Sequence, residues 1–103
     1  MVGTRFGGLK PVFVLTSRYT FSGAEQFAYD LQTPRRVKVV GAVTGGGAHA
    51  CSFHWLTDHV NLLLPECRPV NPITGSNWEK IGVKPDIRRS AKTALTKALQ
   101  LAA

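Results

Sequence analysis

Two patterns of apolar residues follow each other along the first forty positions. After a glycine-rich, basic and irregular lead-in over residues 1–10, Pro11 opens the run PVFVLTS, which contains four consecutive apolar residues. Such a run is typical of a strand buried on both faces of a parallel sheet. Apolar residues at helical spacing then predict a helix over about residues 23–32, ended by Pro34. Residues 36–41 predict a second strand, which gives a strand–helix–strand unit with parallel strands and a right-handed crossover.

The first helix has a recognisable start and a predicted apolar face. Ser22 followed by Glu25 three residues later is the pattern of a capping box at a helix N-terminus. The residues expected on or beside the apolar stripe are Phe27, Leu31, Ala24 and Ala28.

The second half of the chain predicts a hairpin, a series of turns and a final helix. Residues 50–57 and 60–65 form two strands joined by a tight turn at Asp58-His59. Prolines and a glycine then break the chain into turns, and residues 78–86 form a loop that ends in a short extended piece. Ser90 is the predicted N-cap of a helix that runs to Ala102. Its apolar stripe consists of Ala91, Ala94, Leu95, Ala98, Leu99 and Ala102. The 103 residues therefore predict a single α/β domain.

Charge adds little to this picture. Thirteen Lys and Arg against six Asp and Glu give a formal charge of +7. The basic residues are scattered, lack interleaved aromatics and match no nucleic-acid motif, so a basic protein surface is favoured over a nucleic-acid partner. No stretch is long and apolar enough to cross a membrane, and the opening MVGTRFGGLK lacks the apolar region of a signal peptide.

The two cysteines, Cys51 and Cys67, have no companions at metal-binding spacing, so we predict no metal site and no cofactor. In the predicted hairpin they lie almost opposite each other. A disulfide and two free thiols both remain open, and free thiols are favoured.

Ser22 is the first candidate for chemistry. It lies between a buried strand and the first turn of a helix, at the end of the sheet where catalytic groups gather in α/β proteins. Free backbone N–H groups and the partial positive charge of the helix N-terminus would stabilise an alkoxide or an oxyanion. Gly23 would let a substrate approach closely. A helix cap without catalysis is the alternative interpretation of the same serine.

Three motifs together resemble a known family. TSRYTFSGAEQFAYDL, VVGAVTGGGAH and NPITGSNWEKIGVKPDI occur in order between about residues 11 and 90. They look like the C-terminal-processing (tail-specific) serine peptidases, in particular the branch with tricorn-type proteases and interphotoreceptor retinoid-binding-protein-like domains. The resemblance implies the C-terminal part of a ClpP/crotonase-like catalytic domain, with a strand–helix–strand unit, a β-hairpin and a C-terminal helix. It also implies a peptide or protein substrate and, from related bacterial proteins, export to the periplasm.

The resemblance assigns roles to three residues. Ser22 matches the nucleophile, and the N–H of Gly23 matches one half of the oxyanion hole. Glu79, three residues before the glycine of GVKPD, matches the glutamate that orients the site in tricorn-type enzymes. A loop carboxylate paired with Lys80 or an arginine is the structural alternative for Glu79.

The sequence also departs from the family pattern. The tail-specific branch carries its lysine base in a motif VGxxTxGKG, and in the stretch 40–47 a glycine stands at the lysine position. A Ser–Lys dyad of that kind is therefore excluded. The tricorn-like branch takes a histidine and an oxyanion-hole glycine pair from upstream segments, and Gly7-Gly8 lies too close to Ser22 to be that pair. We therefore expect the base to come from outside this chain and the isolated chain to be inactive or nearly so.

The glycine loop itself supplies further candidates. Gly45, Gly46 and Gly47 lack the Lys-Ser/Thr of a phosphate loop, so a close backbone approach or a mobile loop is favoured. His49 follows the loop and could face the site, although a surface or packing role is the simpler interpretation. His54 and His59 fall in or near the predicted hairpin turn, and Trp55 and Trp78 are predicted in the core or an interface.

Three functions remain open. The leading one is a serine peptidase segment that acts through an acyl-enzyme on Ser22. The second is a non-catalytic module that binds an apolar ligand such as a retinoid or fatty acid. The third is a fragment without activity of its own, which would cover its apolar surface by pairing with a missing N-terminal domain or with a second copy of itself.

Overall fold

The computed structural model describes Gly3 and residues 7–103 of the chain, so part of the predicted lead-in lies outside the described residues. Along the chain, a strand and a helix are followed by four strands and a second helix. Their bounds are β1 Phe13–Thr16, α1 Gly23–Gln32, β2 Lys38–Gly41, β3 Ala50–Trp55, β4 Asn61–Cys67, β5 Ile87–Arg88 and α2 Ala91–Ala102. The predicted α/β class is confirmed, and α1 has the predicted bounds.

A three-stranded parallel sheet forms the body of the molecule, in the order β1-β2-β5. Val14 lies opposite Val39, and Val40 lies opposite Ile87. Because successive side chains of a strand point to opposite faces, Val39 and Val40 anchor two separate clusters. Val39 packs with Ala28 of α1, and Val40 packs with Ala94 and Ala98 of α2. The two helices therefore cover the two faces of the sheet.

The prediction that the first strand is buried on both faces is wrong. Leu15 of β1 is 43% exposed, and the fully buried strand residues belong to β2. The reason is position in the sheet: β2 has a neighbour on each side, whereas β1 pairs only with β2 in the described part of the chain.

The predicted apolar stripes of the helices are partly wrong as well. Phe27 is exposed, and the buried residues of α1 are Ala28 and the charged Glu25. In α2, Leu95 and Leu99 are exposed, and the buried face is made by Ala94 and Ala98. Small residues face the sheet in both helices because the helices lie close against β2.

The hairpin β3–β4 extends away from this body. All thirteen residues of the two strands are exposed, including Trp55, which therefore lies outside the core. The radius of gyration is 16.7 Å, against about 13 Å for a compact domain of this length. The chain reverses between Trp55 and Asn61, and β4 runs two residues beyond the predicted strand end to Cys67.

The cysteines are not cross-strand partners. Ala50 lies opposite Cys67 and Cys51 lies opposite Pro65, with an irregularity of the pairing between Ala50 and Cys51. Both thiols are free. Neither helix of the described residues has the length and apolar character needed to cross a membrane.

Candidate active site

Ser22 lies at the turn between β1 and α1, with a backbone conformation that is unusual for a residue other than glycine. It is the N-cap residue of α1, with φ 52° and ψ −121°, and it is exposed. Non-glycine residues avoid such positive φ values, at a cost of about 1–3 kcal/mol. Strain of this kind collects at functional sites, and a sharp strand-to-helix turn is a common way to expose a nucleophilic serine.

The N–H of Gly23 is available beside Ser22. The following amides of the helix find acceptors, as when Ala24 N–H donates to the Phe21 carbonyl at 3.2 Å, but no hydrogen bond within the described residues uses the Gly23 N–H. A Cβ atom built on Gly23 meets nothing within 4 Å. An incoming carbonyl oxygen therefore has both a free donor and open space at this position.

Glu25 is the centre of the site's architecture, a role that the sequence pattern did not reveal. Its side chain is fully buried. Oε2 accepts the N–H of Ser22 at 2.9 Å and the N–H of Gly47 at 2.8 Å. Oε1 accepts the N–H of Gly46 at 2.6 Å and the hydroxyl of Thr44. One carboxylate thus fixes the turn at Ser22 to the glycine loop.

The glycine loop is held by contacts from several sides. Of the two interpretations of its glycines, these contacts fit a close backbone approach. The Gly45 N–H donates to the Thr20 carbonyl at 2.9 Å, and the Gly46 carbonyl accepts the Lys80 N–H at 2.8 Å. Gly46 has φ +87°, and a Cβ atom there would lie 2.9 Å from the Lys80 backbone. Trp78, which is buried as predicted, donates its indole N–H to the Gly47 carbonyl at 3.0 Å.

Phe21 explains why two of these positions carry no side chain. Its ring lies against the loop, so that a Cβ atom on Gly45 would come within 2.7 Å of the ring and one on Gly47 would overlap it. Gly47 is the position at which the tail-specific motif has lysine. The ring therefore occupies the space into which such a side chain would have to project.

Glu79 reaches the far end of the same loop. Its Oε2 accepts the N–H groups of Ala48 at 2.7 Å and of His49 at 3.2 Å. The Ala48 hydrogen bond is the main reason that the pKa of Glu79 lies below its ordinary value of 4.5, with smaller contributions from His49 and Lys80. Oε1 of Glu79 lies 4.0 Å from Nδ1 of His49. The carboxylate is therefore ionised at neutral pH and directed at the histidine.

A cavity of about 600 Å³ brings most of the predicted site residues together. Ser22, Gly46, Gly47, His49 and Glu79 line it. The rest of the wall is contributed by Phe21 and by both strands of the hairpin, namely Ala50 and Cys51 of β3 and Leu63 and Pro65 of β4. Gly23 and Gly45 follow or precede lining residues in the sequence, but they do not line the cavity themselves.

The other histidines lie elsewhere. His54 is on the exposed hairpin, with Nε2 2.7 Å from Oε1 of Glu66, and His59 is in the hairpin turn. No cluster of three potential metal ligands occurs among the residues that the structure describes. The features that sequence reasoning missed are Glu25 and Phe21. A buried glutamate in a capping-box position has the same local pattern as an exposed one, so no sequence signal distinguishes them.

An exposed serine in a strained strand-to-helix turn, with a free amide beside it at the edge of a parallel sheet, is the arrangement of a serine nucleophile on an α/β fold. The comparisons agree with this class. The model of Peptidase family S41 matches residues 5–89. The chain therefore belongs to peptidase family S41, and the predicted relation to C-terminal-processing peptidases is confirmed.

A solved structure gives the same relation. The structure of a photosystem II D1 C-terminal processing protease superposes with a TM-score of 0.69 at 27% sequence identity. The match covers 90% of this chain and 25% of that one, so the chain spans a quarter of that protein's length. Membership of the tricorn-like and retinoid-binding branch stays a prediction.

Proposed function

We propose that this chain carries the nucleophile of a serine peptidase and acts on peptide or protein substrates as part of a larger catalytic assembly. The observation that carries the proposal is the geometry of Ser22: an exposed hydroxyl at a strained turn, beside an unused Gly23 N–H, on a cavity shared with Glu79 and His49. Membership of family S41 supports the assignment of Ser22 as nucleophile and Gly23 as oxyanion donor.

The reaction would proceed through an acyl-enzyme. The Ser22 oxygen adds to the carbonyl carbon of the scissile peptide, and the oxyanion that forms accepts a hydrogen bond from the Gly23 N–H. The tetrahedral intermediate collapses with loss of the amine, and water then releases the acid from Ser22. One donor is half of an oxyanion hole, and loss of a single donor costs about 10²–10³ in kcat in other serine peptidases. We therefore propose that the isolated chain reacts slowly and that another segment or a second copy supplies the missing donor.

The experiment is the reaction of the chain with a fluorophosphonate probe, read as labelled protein on a gel. We expect slow labelling of the wild-type chain and none of Ser22→Ala. Ser17→Ala is the matched control, because Ser17 lies in the same connection between β1 and α1. Equal labelling of wild type and Ser22→Ala, or no labelling of either, would contradict the proposal. Rapid labelling would contradict the view that the machinery is incomplete.

A second function has a specific observation in its favour. The cavity has an apolar wall made by Phe21, Leu63 and Pro65, which suits a fatty-acid or retinoid chain. Titration with a fluorescent fatty acid tests it. Saturable binding that Leu63→Asp abolishes would support a binding module, and a linear, unsaturable signal would count against it.

A further inference from the structure

His49 and Glu79 form a pair of the kind that activates a serine. Glu79 Oε1 lies 4.0 Å from Nδ1 of His49, and Glu79 Oε2 also holds the His49 backbone N–H at 3.2 Å. The backbone contact fixes the residue, and the carboxylate faces one ring nitrogen. Nε2, the other ring nitrogen of His49, makes no contact with this carboxylate. The acid and the histidine are ordered as in catalytic triads, but at 4.0 Å their side chains make an ion-pair contact and have yet to close to a hydrogen bond.

The other ionisable groups at the cavity are poor candidates for a base. No lysine is available at the position of the family's lysine base, because Gly47 stands there. Each carboxylate oxygen of Glu25 already accepts two hydrogen bonds, and the side chain lies buried behind the glycine loop. The thiol of Cys51 donates to the His49 carbonyl at 3.5 Å. Among the described residues that line the cavity, His49 is left as the group with a free basic nitrogen.

We propose that His49 is the general base for Ser22 and that Glu79 is the residue that positions its ring, an inference that rests on the proposed role of Ser22 as nucleophile. Ser22 and His49 line the same cavity. Hydrogen bonds between nucleophile and base are often long in free enzymes and shorten when the substrate binds. In this proposal the base comes from the loop after the glycines of this chain, which replaces the expectation from the sequence that it comes from outside the chain.

The proton transfers balance within the site. Nε2 of His49 takes the hydroxyl proton of Ser22 as the oxygen–carbon bond forms. The imidazolium then gives this proton to the leaving nitrogen as the carbon–nitrogen bond breaks. In the second half, His49 takes a proton from water and returns it to Ser22 when the ester bond breaks. Glu79 stays ionised throughout and stabilises the imidazolium.

The charges around His49 define the expected pH dependence. Glu79 faces the ring, Lys80 acts on Glu79 from the next position, and Cys51 lies on the hairpin side together with the uncharged Leu63 and Pro65. Glu25 lies behind Gly46 and Gly47. Because only a neutral imidazole can accept the proton, the reaction rate should rise with pH.

The test is the rate of phosphonylation of Ser22 by a fluorophosphonate between pH 5 and 8.5. For the wild-type chain we expect a rate that rises sigmoidally with pH. For His49→Gln we expect a rate lower by about 10²-fold or more and no such rise. Glu79→Gln should lower the rate, because the imidazolium loses the carboxylate that stabilises it and positions the ring. His54→Gln is the matched control and should behave like wild type, since His54 pairs with Glu66 on the hairpin.

Two further measurements separate the outcomes. Imidazole added to His49→Ala should restore part of the rate, which a mere folding defect would not allow. A His49→Gln rate within twofold of wild type, with the same pH profile, would overturn the inference and leave Ser22 as nucleophile. Absence of imidazole rescue would also count against it. Failure of the wild-type chain to react at Ser22 would instead overturn the proposed function and this inference together.

Discussion

Replacing Glu25 by glutamine tests the architecture of the site. The carboxylate accepts four hydrogen bonds in a fully buried position, two on each oxygen. An amide can accept on one side only, and its NH₂ group then faces two donors. In the less costly orientation the NH₂ group lies at the Oε1 side. There Thr44 can turn its hydroxyl to accept, and the Gly46 N–H is left without an acceptor.

The magnitude follows from these contacts. A buried donor without a partner costs about 1–3 kcal/mol, and each hydrogen bond to a charged group contributes about 1.5–3 kcal/mol. We therefore expect Glu25→Gln to lower the free energy of unfolding by about 2–4 kcal/mol, or Tm by at least about 10 °C. Glu25→Ala should cost more, because all four donors then lose their acceptor.

The assay is urea denaturation followed by circular dichroism, combined with hydrogen exchange of the Gly46 and Gly47 amides. Both amides should exchange faster in Glu25→Gln than in wild type. Glu66→Gln is the matched control, and we expect a change within about 0.5 kcal/mol, because Glu66 is exposed and its ion pair with His54 lies at the surface. A Glu25→Gln change as small as this control, with unchanged amide protection, would refute the reasoning.

Three other predictions follow from the site. Gly47→Lys should lower stability by up to about 1 kcal/mol in denaturation experiments, because its Cβ would overlap the exposed Phe21 ring and force it aside; the loss should be smaller in a Phe21→Ala background, and equal losses would contradict the overlap. The depressed pKa of Glu79 means that its hydrogen bonds stabilise the fold above pH 4.5 and that this stability is lost as pH falls through its lower folded pKa. Thermal melts between pH 7 and 3 should therefore show a shallower acid decline for Glu79→Gln, and an unchanged decline would argue against it. Ser22→Gly should be more stable than Ser22→Ala by about 1 kcal/mol, because glycine tolerates the positive φ; equal unfolding midpoints would show that the turn is unstrained.

The strand–helix–strand unit could be predicted because its signals are local. An apolar run, a helical spacing closed by Pro34 and a second β-branched run lie within thirty residues. The exposure of Phe27 and Leu95 could not be predicted, because the apolar pattern of a helix does not fix which of its residues meets the sheet. Here the small Ala28 and Ala94 allow close packing on β2, and the larger residues turn outward.

The site was predictable only in part, for a related reason. Ser22 could be found from its place between strand and helix and from the family motif. The function of Glu25 depends on donors about twenty residues further along the chain, and the pairing of His49 with Glu79 spans thirty residues. Contacts of this range follow from the fold as a whole and leave no trace in local spacing.

The central claim is that Ser22 is the reactive nucleophile of this chain, and its most direct test is the location of the covalent adduct. The wild-type chain would be incubated with a fluorophosphonate, digested and mapped by mass spectrometry. We predict a single phosphonyl group on Ser22, because among the residues that the structure describes it is the hydroxyl next to the free Gly23 N–H. An adduct on Ser17 or Ser52, distributed labelling, or an unmodified Ser22 after prolonged incubation would contradict the claim.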